Sequence, residues 1–199
     1  MGKSTAVIKG IFIGLIAFLV ACTEKDPVPK PYCYLRTDFP SHNYTSFKVK
    51  NDLLSYEFDI SNLFSLRQNI SDPKYGFQEF DLGAINGTLL IYSKRFNTKD
   101  SLLKLINSAN DLVDEHKIKA DRIDYNQLIF KEKQVYGTFF NLKGNVATNF
   151  QFYLTDSSSN FIRGEILLNC RPNYDSLRPT LDYLKVDLER MMESFKWVK

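Results

Sequence analysis

The chain has 199 residues, 44% apolar, 14% aromatic and 25% charged, with a formal net charge of +3. That balance predicts a packed globular body and excludes a disordered chain. Losing Lys3 and Lys9 with the leader described next leaves 24 of the 26 basic side chains against 23 acidic ones, and no basic stripe of the kind a nucleic-acid binder carries.

The first 21 residues read as a signal peptide. A basic start with Lys3 and Lys9 precedes the uninterrupted apolar run 11–21. As a helix those eleven residues reach about 16 Å, roughly half of a bilayer core of about 30 Å, so the run is too short to span and suits a cleavable signal core. It ends in Leu19-Val20-Ala21-Cys22, which resembles the bacterial lipobox: an aliphatic residue, a tolerant position, a small residue for the peptidase pocket, and a thiol to accept the diacylglyceryl group. Cleavage before Cys22 and acylation there are expected, leaving 178 of the 199 residues. Two or more acyl chains hold a protein stably on a membrane where one does not. An ordinary secretory leader with an incidental cysteine, or an uncleaved short anchor, are the other readings of the same residues. Thr23 follows the cysteine, where an aspartate would mark inner-membrane retention in some bacteria, so the expected location is the outer membrane, facing the periplasm.

Residues 22–31 form the tether. Pro27, Pro29 and Pro31 alternate through it, which favours a semi-rigid extended spacer. A single domain is expected over 32–199, opening on the aromatic residues Tyr32, Tyr34, Phe39 and Tyr44, read as packing residues. Short strands are predicted at 55–60, 76–81 and 88–92, the last after an Asn86-Gly87 turn. From Asp100 the period changes: Leu102, Leu105, Ile106, Ala109, Leu112, Val113 and His116 recur every three or four residues, an amphipathic helix starting near Asn97 or Thr98.

Strands are then predicted at 123–130, 134–142, 149–154 and 161–168, with turns at 143–145 and 156–160. Their connections are too short for parallel crossovers, so antiparallel pairing is expected. A last helix begins near Asp175, read as its cap, with Pro179 in its first turn and Leu177, Leu181, Leu184, Leu188, Met191 and Phe195 on one face. The fold class is α+β, an antiparallel sheet packed by two main helices.

Few residues offer chemistry. His116 is placed near the C-terminal end of the first helix, where the helix dipole favours a cation, and His42 lies in a polar loop. Neither has ligand-spaced companions, so no metal, cofactor or catalytic residue is expected. Cys33 and Cys170 remain after Cys22 is acylated, and an exported location permits a bridge between them. Asp156 and Arg163 could meet across a hairpin, as turn chemistry or as a docking epitope. The mixed-sign segment 117–133 reads as solvated surface.

Several short stretches carry a family resemblance: Pro29-Lys-Pro31, Leu35-Arg36, Lys117-Ile-Lys-Ala120, Val135-Tyr-Gly137, Lys143-Gly-Asn145, Gln151-Phe-Tyr-Leu-Thr-Asp-Ser157, Phe161-Ile-Arg-Gly164, Arg171-Pro-Asn-Tyr-Asp-Ser-Leu177 and Phe195-Lys-Trp197. In this order they resemble the gliding motility lipoprotein GldD family of Bacteroidota, from the lipobox to the C-terminus. Cys33 departs from the glycine more frequent there, and Val146-Ala-Thr148 from the usual small residues. The element order also resembles the Mog1/PsbP-like sandwich. The family resemblance implies a non-enzymatic envelope lipoprotein needed for gliding and linked to type IX secretion, with other envelope proteins of that machinery as partners and the membrane held through Cys22. A small-ligand-binding or hydrolytic lipoprotein is the competing expectation, and it requires a deep pocket between sheet and helix lined by convergent polar groups.

Overall fold

The computed structural model describes residues 38–50, 54–72 and 74–198. Leader, tether, Tyr32, Tyr34 and Cys33 all lie outside the described residues, which belong to one compact unit, Arg36–Lys199. In chain order its elements are β1 (Tyr44–Lys50), β2 (Ser55–Ser61), β3 (Ser65–Ser71), β4 (Gly76–Asp81), β5 (Gly87–Arg95), α1 (Lys99–Asp114), β6 (Ala120–Phe130), β7 (Val135–Gly144), β8 (Phe150–Thr155), β9 (Asn160–Leu168), α2 (Tyr174–Ser194) and β10 (Lys196–Trp197).

Every pairing between these strands is antiparallel. Seven form a sheet in the order β3-β4-β5-β9-β8-β7-β6, and three form a smaller one, β1-β2-β10. The period of two along each strand sorts the side chains of the large sheet onto two faces. Phe80, Leu89, Ile91, Phe139, Phe152, Leu154 and Ile162 point to one face and form the main core with Tyr56, Phe58 and Ile60 of the small sheet and Leu184, Leu188 and Met192 of α2. Rings interlock there: Phe58 packs edge-on to Phe80 at 6.4 Å, and Phe195, just past α2, stacks on Tyr56 at 5.5 Å. Gly164 and Gly137 make room, since a Cβ on the first would collide with the Phe152 ring and on the second with the Tyr153 carbonyl. On the opposite face Phe140, Leu142, Tyr153 and Phe161 meet Ala109, Val113 and Leu105 of α1 in two smaller clusters.

The predicted α+β architecture holds, with one helix on each face of an antiparallel sheet. Thr98 caps α1 by accepting the Ser101 amide at 3.1 Å. Three details differ from expectation. α1 stops at Asp114, so His116 sits in the turn after it, 2.9 Å from the Thr148 hydroxyl. Asn173 caps α2, and Asp175 contributes its charge to the first turn instead. Pro179 lies in the second turn, where it removes the bond its amide would have given Asp175. Strands β1, β3 and β10 were not predicted. β3 is polar and bulged between Leu66 and Gln68, and β10 spans two residues, so neither carries a readable alternation.

Candidate functional site

Before β1 the chain runs against α2, and there the structure assembles a cluster of polar and aromatic side chains. Tyr183, Asp187 and Arg190 recur at spacings of four and three, hence on one side of the helix. Asp187 is buried, 2% exposed, among Leu184, Leu188 and Met191. Its Oδ1 accepts from His42 Nδ1 at 2.7 Å. The imidazole stacks on Tyr183 at 4.2 Å while Phe39 stacks on the same ring at 4.6 Å. Two rings so close to a third cannot share one face of it, so Tyr183 is sandwiched between them. Arg190 bonds Asp59 at 2.5 Å and lies over the Tyr44 ring at 5.8 Å.

The electrostatics follow from burial. Asp187 Oδ2 falls short of a well-formed hydrogen bond, yet the Tyr44 hydroxyl approaches the same carboxylate. Burial first, and that interaction second, push Tyr44 up to about 12. Burial and then the Asp187 charge raise Tyr183 as well. A buried carboxylate needs its partner, because stranding a buried acceptor costs about 1–3 kcal/mol. Among the described residues the ring neighbours of the imidazole are Tyr183 and, farther off, Tyr44 at 6.3 Å. The arrangement acts as a clasp that fixes residues 39–44 on α2.

A second feature is the groove beside α1, about 340 Å³. Leu105, Ala109 and Leu112 wall it on the helix side, Tyr92, Phe161 and Arg163 on the sheet side. Arg163 bonds Glu165 at 2.9 Å and stacks over Tyr92 at 4.9 Å. Its Nη2 is thereby held within the sheet, while Nη1 is buried without a hydrogen-bond partner among the described residues. Among the described residues its lining is mostly apolar, with Ser93, Lys94, Ser108 and Arg163 as polar members.

The residues singled out from sequence are dispersed. Cys22 and Cys33 lie outside the described residues. Cys170 is exposed just past β9. Asp156 and Arg163 do not meet. Arg163 bonds Glu165, and Asp156 Oδ1 accepts the amides of Ser158, Ser159 and Asn160 at 2.8 to 2.9 Å. Burial pushes the Asp156 carboxyl up, but those amides together hold it below the usual carboxylate value. This is turn chemistry. The segment 117–133 is a mixed-sign surface, with Asp124 between Arg122 at 2.5 Å and Lys143 at 3.0 Å. Among the described residues no three His, Cys, Asp or Glu side chains converge as metal ligands. The His42–Asp187 pair was missed, although one signal existed: Asp187 interrupts the apolar row Leu184, Leu188, Met191, and an acid in such a row implies a buried partner.

Among the described residues no helix is long and apolar enough to cross a membrane. No curated protein matches the chain. The family model for the gliding motility lipoprotein GldD matches residues 24–197, from two residues past Cys22 almost to the C-terminus, and the chain belongs to that family.

Proposed function

We propose that the protein is a non-enzymatic, lipid-anchored envelope component that assembles or stabilises the machinery of gliding and type IX secretion. Membership of a gliding motility lipoprotein family supports a role in gliding motility and a membrane-anchored place in the cell envelope. The observation that carries the finer reading is that the match starts at residue 24, directly behind the Leu19-Val20-Ala21-Cys22 motif. In this reading residues 1–21 are removed, acyl chains on Cys22 hold the protein on the periplasmic face of the outer membrane, residues 22–31 space it from the bilayer, and 32–199 fold as one domain. Anchoring raises its effective concentration beside membrane partners. A bridge between Cys33 and Cys170 belongs to the same proposal, and non-reducing peptide mapping tests it.

The non-catalytic part draws support from the site. The main core is filled by side chains, the histidine that pairs with buried Asp187 lies against aromatic rings, and the groove is mostly apolar. The decisive experiment is a clean deletion complemented with the wild type or with Cys22→Ala. Deletion abolishes colony spreading and type IX export while an unrelated envelope function survives, the wild type restores both, and Cys22→Ala restores neither. Intact gliding and export in the deletion strain would refute the role. Mass spectrometry of the mature N-terminus tests the anchor separately.

A further inference from the structure

The sheets end in strands that are not equally guarded. An unpaired edge is a template for another chain, and proteins blunt it with charges, bulges or brevity. β1 carries Lys48 and Lys50. β3 has a bulge beside Arg67, whose guanidinium bonds Asp81 at 2.5 Å. β10 has two residues. β6 differs. It runs for eleven residues with no neighbour on its outer side among the described residues. Its guards stand at one end, with a register break between Ala120 and Arg122 and charges at Asp121, Arg122 and Asp124. From 125 to 130 it reads Tyr-Asn-Gln-Leu-Ile-Phe, without charge, proline or glycine, in unbroken register with β7. Tyr125 is 54% exposed and Ile129 58%, both on one face of the strand. A neutral, β-prone stretch of this kind is built to pair.

We propose that β6 is an interaction surface whose occupant is β6 of a second copy of this chain, paired antiparallel about a twofold axis at Gln127. Such an axis sets Tyr125 opposite Ile129 twice and Gln127 opposite itself, so the two most exposed apolar side chains of each strand cover each other. The strand ends at Phe130, where Lys131–Lys133 turn the chain back into β7, so this self-pair spans residues 124–130. An axis at Asp124 would oppose the two Asp124 side chains. Of the axes within the strand only the one at Gln127 sets Tyr125 against Ile129, so covering the two exposed apolar side chains selects that register for a self-pair. This inference rests on the sheet edge and stands apart from the gliding role.

The test uses the full-length chain in its own cells, with Cys22 kept and Cys33 and Cys170 changed to serine. Residues directly opposite in an antiparallel pair lie about 4.5–5.5 Å apart at Cα, within disulfide reach. Under mild oxidation Gln127→Cys gives a covalent homodimer, also when Cys33 and Cys170 are retained. Two differently tagged copies bearing Tyr125→Cys and Ile129→Cys crosslink to each other. Tyr125→Cys alone does not, being four residues, about 13 Å, from its own mate. Adding Ile129→Lys lowers the Gln127→Cys dimer several-fold. No dimer at 127 from a normally abundant protein, equal yields at all positions, or a conjugate with a different polypeptide would each overturn the proposal.

Discussion

The two faces of the seven-stranded sheet are covered to different degrees. One is sealed by α2 and the small sheet, and its residues, Phe152, Leu154, Leu89 and Ile91 among them, are essentially inaccessible. The other carries α1 over its middle, a mostly apolar groove at the flank of that helix and, among the described residues, no element over β4 and β5, where Tyr92 and Arg163 rest on each other. The same strands serve both faces, so what differs is the layer placed against them. The lesson is energetic: the inner face carries the stability, and the outer face has area to spare for contact.

The largest expected effect measures this contrast directly. Phe152→Ala removes a ring locked under Gly164 and should cost about 4 kcal/mol. Leu105→Ala trims a half-buried side chain at the groove wall and should cost about 1 kcal/mol. Denaturant unfolding of the two variants compares them at equal slope. Equal losses would break the comparison and make α1 as integral to the fold as α2.

Alternation is why the strands were legible. In β8 the phenylalanines at 150 and 152 and Leu154 share a parity, and the central hairpins could be read from it to within a residue or two. The unread parts share a different cause. β10 exists because Phe195 must reach back over Tyr56, and β3 is held by pairing with β4 rather than by its own apolar content. Both are tertiary consequences that no local window contains. The polar cluster was hidden likewise, since His42 and Asp187 are 145 positions apart and only the acid inside an apolar row hinted that something must come to meet it.

That cluster refines the contrast between faces, because it sets a polar interaction at the margin of the sealed side, with Asp187 buried and His42 reaching it from the surface. His42→Ala should destabilise the fold by about 2 kcal/mol, less than the Phe152 change, as it removes the partner of the buried Asp187 carboxylate. Asp187→Leu placed on top of it should recover most of the loss, since the cost is that of an unpaired charge and not of missing contacts. Additive losses in the double variant would mean that the pair contributes through packing alone, and the clasp would then be an ordinary piece of core.

Tyr44 supplies the smallest and most local measure of how closed the clasp is. Its folded pKa of about 12 lies above its ordinary 10.0, chiefly through burial and then through Asp187. A group that holds its proton more tightly when folded stabilises the fold fully below its unfolded pKa. Its contribution therefore stands intact below pH 10.0 and is lost as pH rises through about 12. An ultraviolet tyrosinate titration, differenced against Tyr44→Phe, isolates this hydroxyl from the other tyrosines. Asp187→Asn should bring the midpoint part of the way back toward 10.0, because it removes the carboxylate's charge and leaves the burial. A midpoint unmoved by that change would assign the whole shift to burial, and one already at 10.0 in the wild type would mean that residues 39–44 lift off α2 in solution, leaving that side of the helix as open as the flank of α1.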